Sequence, residues 1–327
     1  MVLVGCIIIL LAGCTNNTDE NSPYGDLLSR KPYAPLTDSI HKNPINPDLY
    51  YRRGLLLKEN KNPEPALADL RKAWELSKNE EYAVAISNLL LEKHPDSAVN
   101  FIREALRNHP KSIFLKLNLA QAYSDQNKLD ETLNILNDIL AQAPSQIDAL
   151  MMKSDLLEKM DNKQEALLTL EKAYEYAPFD VELANNLAFK YAENKDPKAL
   201  ALCDSLIRMD SAGSHAEPYY VKGVYYLNTG NQTTALELFD QAIQHDYHFP
   251  DSYIDKGTIL YKQKKYKDAL KVFQLAATVN QSFADAYFWM GKCQEALNQK
   301  EEAKLNYQRA YGFDKSFTEA KEAADKL

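Results

Sequence analysis

Gly223, Gly257 and Gly291 stand 34 residues apart, and no other feature of the chain restricts its fold as tightly. Tyr219, Tyr253 and Tyr287 keep the same interval, as do Ala235, Ala269 and Ala303. Phe239, Phe273 and Tyr307 follow in step, then Ala242, Ala276 and Ala310. Five sites recurring three times at one interval describe a structural unit repeated along the chain, each copy burying its apolar face against the next. Glycine costs about 1 kcal/mol in a helix interior relative to alanine, so its recurrence points to a close approach of one helix to another.

Upstream the copies are looser and keep step. Pro110, Pro144 and Pro178 are again 34 apart, where a proline that cannot continue a helix would end each hairpin. Tyr123, Ala166 and Ala173 fall at matching positions, and Tyr50, Gly54, Ala66, Leu70 and Ala73 form a further copy near the start. The run aromatic-x3-Gly followed by Ala-x3-Phe-x2-Ala resembles the tetratricopeptide repeat. That resemblance implies an all-α fold, a right-handed α-solenoid of stacked antiparallel helix hairpins. About eight repeats are expected over 47–317, at 47–80, 81–112, 113–146, 147–180, 181–215, 216–249, 250–283 and 284–317, with a capping helix at 318–327. The phase slips between Asp196 and Glu217: a shortened turn is expected at Asn194-Lys195-Asp196-Pro197 and a lengthened connection at Ser211-Ala212-Gly213-Ser214.

The composition agrees with helix. Only ten glycines occur in 327 residues, and alternating Val/Ile/Thr runs between tight-turn signals are missing. Net charge is −8 with no basic stripe, which argues against a nucleic-acid partner. The densest basic patch, Lys264, Lys265, Lys267 and Lys271, reads as a solvated helix face. Cys203 and Cys293 lie among apolar helical residues and read as small buried hydrophobes, with a bond between them left open by the sequence.

Residues 1–13 are expected to be a signal peptide: an apolar run too short to span a membrane, ending in small residues. Leu11-Ala12-Gly13-Cys14 resembles the lipobox of bacterial lipoproteins. The resemblance implies a diacylglycerol on the Cys14 thiol, cleavage before it and acylation of the new amine, enough acyl chains for stable anchoring. No Lys or Arg precedes the run, a departure that fits a start a few residues upstream. Residues 14–46, polar at first and then broken by Pro23, Pro32, Pro35 and Pro44, are expected to form a flexible tether of about 30 Å root-mean-square span. Thr15 after the cysteine favours the outer membrane by the same analogy, and Asp19-Glu20 faintly resembles an acidic surface-export tag. The expected location is the bacterial cell envelope, at the periplasmic face or the cell surface.

In the tetratricopeptide family the first helices line a concave groove. Spacing on the first helices selects Tyr220, Val224, Leu227 and Asn228, then Ile254, Thr258, Tyr261 and Lys262, then Phe288, Lys292, Glu295 and Ala296. Met151, Asp155, Glu158, Asn185 and Phe189 are the counterparts upstream. This composition suits an extended or helical peptide, while some of these residues are also expected to pack against neighbouring repeats. The Lys/Asn/Arg clamp with which some members hold chaperone tails is absent: Tyr220, Val224, Tyr261 and Asp285 occupy its places.

No phosphate cradle and no nucleophile elbow occur in the sequence. His245 and His248 form an H-x-x-H pair without a third ligand, and Glu80-Glu81 and Glu301-Glu302 face different directions. Neither a catalytic site, nor a metal, cofactor or small-molecule substrate is expected. The expected role is a membrane-anchored scaffold for protein or peptide partners. The alternatives are a structural subunit of an envelope assembly for secretion, pilus, gliding or outer-membrane biogenesis, or a non-catalytic accessory of a peptidoglycan enzyme.

Overall fold

The structure is a computed structural model that describes residues 23–210, 213 and 215–327. The expected signal peptide, Cys14 and most of the connection at 211–214 lie outside the described residues. Within them the chain forms nineteen helices and no strand, in two compact units divided between Asp161 and Asn162. The first unit holds α1 (Gly25–Leu28), α2 (Ala34–Lys42), α3 (Pro47–Glu59), α4 (Pro63–Leu76), α5 (Glu80–Lys93), α6 (Pro95–Asn108), α7 (Ile113–Asp125), α8 (Leu129–Gln142) and α9 (Ile147–Lys159). The second holds α10 (Lys163–Tyr176), α11 (Val181–Glu193), α12 (Lys198–Met209), α13 (Glu217–Asn228), α14 (Gln232–His245), α15 (Pro250–Lys262), α16 (Tyr266–Val279), α17 (Ala284–Ala296), α18 (Lys300–Phe313) and α19 (Thr318–Lys326).

Inside a hairpin the 34-residue period becomes a volume match. A Cβ built on Gly223 would lie 2.5 Å from Phe239, on Gly257 2.5 Å from Phe273, and on Gly291 2.6 Å from Tyr307. Each ring is fully buried and lies directly on the bare glycine backbone. In the first hairpin Leu70 replaces the ring and Gly54 keeps a clearance of 2.9 Å. In α7 and α8 the pair is Ala120 with Leu136, both 0% exposed in one cluster: the residue with a Cβ has the smaller partner.

The turns between the helices of a hairpin repeat as faithfully. Lys61, Asn127, Asp161, Lys195, Gly230, Lys264 and Asn298 all have φ between 56° and 90°, the left-handed region that ends a helix. In six of them the next residue donates its backbone N–H to a carbonyl five positions back, as Lys265 does to Leu260 at 3.0 Å and Asp196 to Tyr191 at 2.8 Å. The turn at 194–197 therefore has the common geometry and is not shortened as expected; the helix after it starts late because Pro197 takes the cap position. The shortened turn is at His94, the single residue between α5 and α6, where Pro95 opens the second helix at once. The phase slip arises in the connection 210–216, longer than the four-residue connections 246–249 and 280–283.

The expected tether is also corrected. Residues from 25 onward are folded: Leu28, Tyr33 and Ile40 are at most 3% exposed and join the core of the first hairpin. The prolines do prevent a long helix, but Pro35 starts a short one, where its missing N–H costs nothing. Arg53, 1% exposed, clips this N-terminal cap down. Its Nε and Nη2 donate to Asp69 at 2.6 and 2.8 Å, and Nη1 donates to Thr37 Oγ1 at 2.8 Å. Thr37 in turn donates to the Leu28 carbonyl at 2.8 Å.

Candidate functional site

The first helices of the second unit, α11, α13, α15 and α17, carry most of the residues that spacing selects, and their backbones hold them in one register. Tyr253 and Tyr287 donate their phenol hydrogens to the carbonyls of Tyr247 and Gln281, six residues back, at 3.0 and 3.1 Å. These bonds fix each first helix to the connection that precedes it. In the lengthened connection the equivalent carbonyl, Gly213, is bonded by His245 Nδ1 at 2.6 Å, and Tyr219 stacks on that imidazole with centroids 4.2 Å apart. His245 and His248 are thus engaged separately, the second against the Tyr247 ring at 3.8 Å.

The structure divides the expected groove residues. Leu227, Ile254, Thr258 and Tyr261 are partly exposed and Lys262 is exposed. Tyr261 leans on Trp289 and Tyr266 with centroids 5.4 and 5.2 Å away. Val224 is 7% exposed and Phe288 5%, so neither offers a contact surface. Phe288 is covered because the chain continues: Phe317, just before α19, packs 4.7 Å from its ring and Tyr307 lies 5.6 Å away. Lys292 is partly buried, its ammonium 5.6 Å from the Phe288 ring. Tyr220 is largely packing as well, set against Phe189 at 6.2 Å, Phe239 at 5.7 Å and Phe249 at 5.2 Å. Its hydroxyl donates to Asp255 Oδ2 at 3.1 Å.

Two acidic residues of α15 are what spacing passed over. Asp251 and Asp255 lie one turn apart on α15, and Asp285 repeats the place of Asp251 one unit later. Burial raises the Asp255 pKa first of all; the Tyr220 hydroxyl lowers it, Asp251 raises it and Lys262 lowers it again. Burial also raises that of Asp251, with Asp285 adding repulsion. Lys222 and Lys256 are engaged elsewhere: Lys222 pairs with Asp204 of α12 at 2.7 Å and Lys256 with Asp240 of α14. The signal was present in the sequence as Asp251 and Asp285 at the 34-residue interval, with Asp255 four residues on.

Cys203 and Cys293 are free thiols, fully buried, and burial pushes both up to about 12, far from the thiolate form that reacts. Among the described residues no group of three His, Cys, Asp or Glu side chains is placed to hold a metal ion. The first helices carry hydroxyl, carboxylate, ammonium and aromatic groups, which make hydrogen bonds, ion pairs and apolar contacts.

Family comparison agrees with this architecture. Residues 89–156, residues 254–316, and residues 47–80, 147–180 and 216–246 match three models described as tetratricopeptide repeat. The chain is 23% identical over 290 residues to the DnaJ homolog subfamily C member 7 homolog of Schizosaccharomyces pombe, covering 86% of this chain and 52% of that protein. It thus spans about half the length of that relative. A tetratricopeptide repeat protein from Parabacteroides merdae superposes with a TM-score of 0.61 at 19% identity, over 75% of this chain and 97% of its own. PilW, a type IV pilus biogenesis factor, superposes with a TM-score of 0.50 at 16% identity, over 63% and 94%. At these identities the likeness to the two structures concerns the fold alone.

Proposed function

The chain belongs to the tetratricopeptide repeat family, and from that premise we propose that it is a protein-docking scaffold, held at a bacterial membrane by lipid on Cys14, whose first-helix face between α11 and α17 receives a segment of a partner. The observation that carries the docking part is the divided face. Leu227, Thr258 and Tyr261 stay partly exposed and Lys262 exposed, on helices whose Asp251 and Asp255 form no ion pair within the described residues. Elsewhere in these hairpins cations and acids pair with each other, as Lys222 and Lys256 do.

The membrane part rests on Leu11-Ala12-Gly13-Cys14. No described helix is long and apolar enough to cross a membrane. With α1 starting at Gly25, residues 15–24 separate Cys14 from the folded cap. At full extension they reach about 35 Å at most, so the scaffold would work close to the bilayer surface.

A second reading, a permanent subunit of an envelope assembly, is favoured by one patch. Phe179 is 82% exposed, and Val181 and Met209 beside it are 40% and 53% exposed, an apolar surface that a lasting interface would cover. PilW is a pilus biogenesis factor by description, and a role of that kind for this chain belongs to the same reading.

Affinity isolation from detergent-solubilised envelopes separates the two. The variant Leu227→Ser/Thr258→Glu/Lys262→Glu should lose its partners while the control Phe179→Ser/Met209→Ser keeps them, both with unchanged circular dichroism. The opposite outcome would replace groove docking by the assembly reading. Cys14→Ser should move the protein from the membrane fraction to the soluble fraction; unchanged sedimentation would remove the lipid anchor.

A further inference from the structure

We infer that the turn between α15 and α16, with Lys262, Lys264, Lys265 and Lys267, receives an acidic stretch of the docked segment beside the rings of Tyr261, Tyr266 and Trp289. The inference rests on the docking reading above and adds the sign of the charge selected where the face meets this turn.

From Lys256 to Lys267 the sequence holds five lysines and no acid, in a chain of net charge −8. Lys256 pairs with Asp240 of α14. The other four are exposed and form no ion pair among the described residues. Asp268, the next acid along the chain, pairs with Lys271 at 3.8 Å. Lys262 acts on Asp255 without forming an ion pair with it.

Neighbouring elements do not pair with the four either. Gln263 Nε2 donates to Gln232 Oε1 at 2.9 Å, which sets this turn beside the one between α13 and α14. That turn is uncharged from Gly223 to Leu236. At the end of α17, Glu295 is held by the Tyr307 hydroxyl at 2.8 Å. Lys300, Glu301 and Glu302 open α18, exposed and forming no ion pair with these lysines.

Aromatic rings do not take up the charge. Elsewhere a lysine head lies over a ring, as Lys78 does on Trp74 at 4.5 Å and Lys315 on Tyr311 at 4.6 Å. Tyr261 packs against Tyr266 and Trp289 with centroids 5.2 and 5.4 Å away, and all three rings are partly exposed. None of the four ammonium groups lies over them among the described residues. Like charges this close along the chain repel one another, and carboxylates from outside would offset that repulsion. The open edges of the rings supply the apolar anchor that such a segment needs beside its charges. The cations span a single turn while the whole chain is acidic. A short acidic segment therefore fits better than an extended polyanion or a bilayer, which would meet repulsion beyond the turn.

The test is a positional-scanning peptide library, with one position at a time fixed as Glu, Asp, Gln, norleucine or Lys, bound to the purified full chain at low and high salt. Enrichment of Glu or Asp over Gln by about fivefold at one position is expected, weakening at high salt. In Lys264→Gln/Lys265→Gln/Lys267→Gln the preference should fall to about twofold or less while apolar selection persists. The control Lys111→Gln/Lys163→Gln/Lys172→Gln removes the same charge from exposed sites elsewhere and should keep it. Retained preference in the turn variant, equal loss in the control, or enrichment of Lys in the wild type overturns the assignment. Apolar selection without any charge preference overturns it too, and leaves the docking reading standing. Sedimentation of the Cys14→Ser chain with phosphatidylglycerol vesicles, abolished by the turn variant and without acidic preference in the library, gives the lysines to a membrane surface and overturns it as well. Absence of binding by every peptide overturns both readings.

Discussion

The phenol of Tyr220 and the carboxylate of Asp255 join two successive first helices, the hydroxyl donating to Oδ2 at 3.1 Å. Tyr220 contributes its ring to packing and its hydroxyl to a carboxylate of the next first helix, so one residue links two successive repeats. The bond lowers the Asp255 pKa, but burial raises it more, and the carboxylate stays above the ordinary aspartate range.

Asp255→Asn should therefore stabilise the protein at neutral pH. An acid whose pKa is raised by folding is easiest to fold when protonated, so the wild type loses stability as pH rises through that raised value. Asparagine still accepts from Tyr220 and carries no charge. Melting at pH 7 should rise by about 2–4 °C, and the difference should vanish below the ordinary aspartate range. A variant that melts lower at pH 7 would contradict the direction of the shift.

Gly257→Ala should destabilise through overpacking against Phe273, whose Cε1 and Cζ would each lie 2.5 Å from the new methyl. Overpacking costs about 1–3 kcal/mol, and alanine's better helix propensity returns up to about 1 kcal/mol of it. In a Phe273→Ala background the same change should cost nothing or stabilise. Equal effects in the two backgrounds, measured by denaturant unfolding, would show that ring and glycine are not coupled.

The left-handed turn residues make a graded series. Lys264 has φ 62° and carries a Cβ that this region disfavours, so Lys264→Gly should stabilise by up to about 1 kcal/mol. Asn298, with the same φ, tolerates the region better, and Asn298→Gly should gain less. Gly230→Ala, at φ 90°, should lose about 1 kcal/mol. Thermal melts that reversed the order of Lys264 and Asn298 would refute the conformational explanation.

Arg53→Ala should cost about 3–5 kcal/mol, because Asp69 is left charged in a buried site. Arg53→Met/Asp69→Leu should recover most of that loss, since neither charge then needs a partner. Hydrogen exchange in Arg53→Ala should quicken first in α1 and α2, which the guanidinium holds through Thr37. Protection unchanged there would mean that apolar contacts alone retain the cap.

Much of the hairpin was legible in the sequence because its code is local. A glycine and an aromatic sixteen residues apart, and a proline two residues after a helix end, are matters of volume and backbone geometry that recur with the interval. The N-terminal cap was missed because four prolines outweighed the spacing of Leu28, Tyr33, Leu36 and Ile40, which places apolar groups on one side of two short turns. Spacing places a tightened turn at residues 194–197 and the structure has one at His94, since a one-residue deletion or insertion moves the period without saying where the loop absorbs it.

Helix identity, hairpin pairing and the interval between repeats followed from residues close together along the chain, and the sequence by itself determined them. Which side chains of the first helices stay open was decided only by tertiary structure. Phe288 has the same place in its repeat as Ile254, yet it is buried because Phe317 folds over it. Lys222 and Lys256 have the same place as each other and both turn to a second helix, so neither pairs with Asp251 or Asp255. Exposure and charge pairing depend on the next element in space, whose position is set by the packing of whole hairpins, and no interval along the chain encodes it.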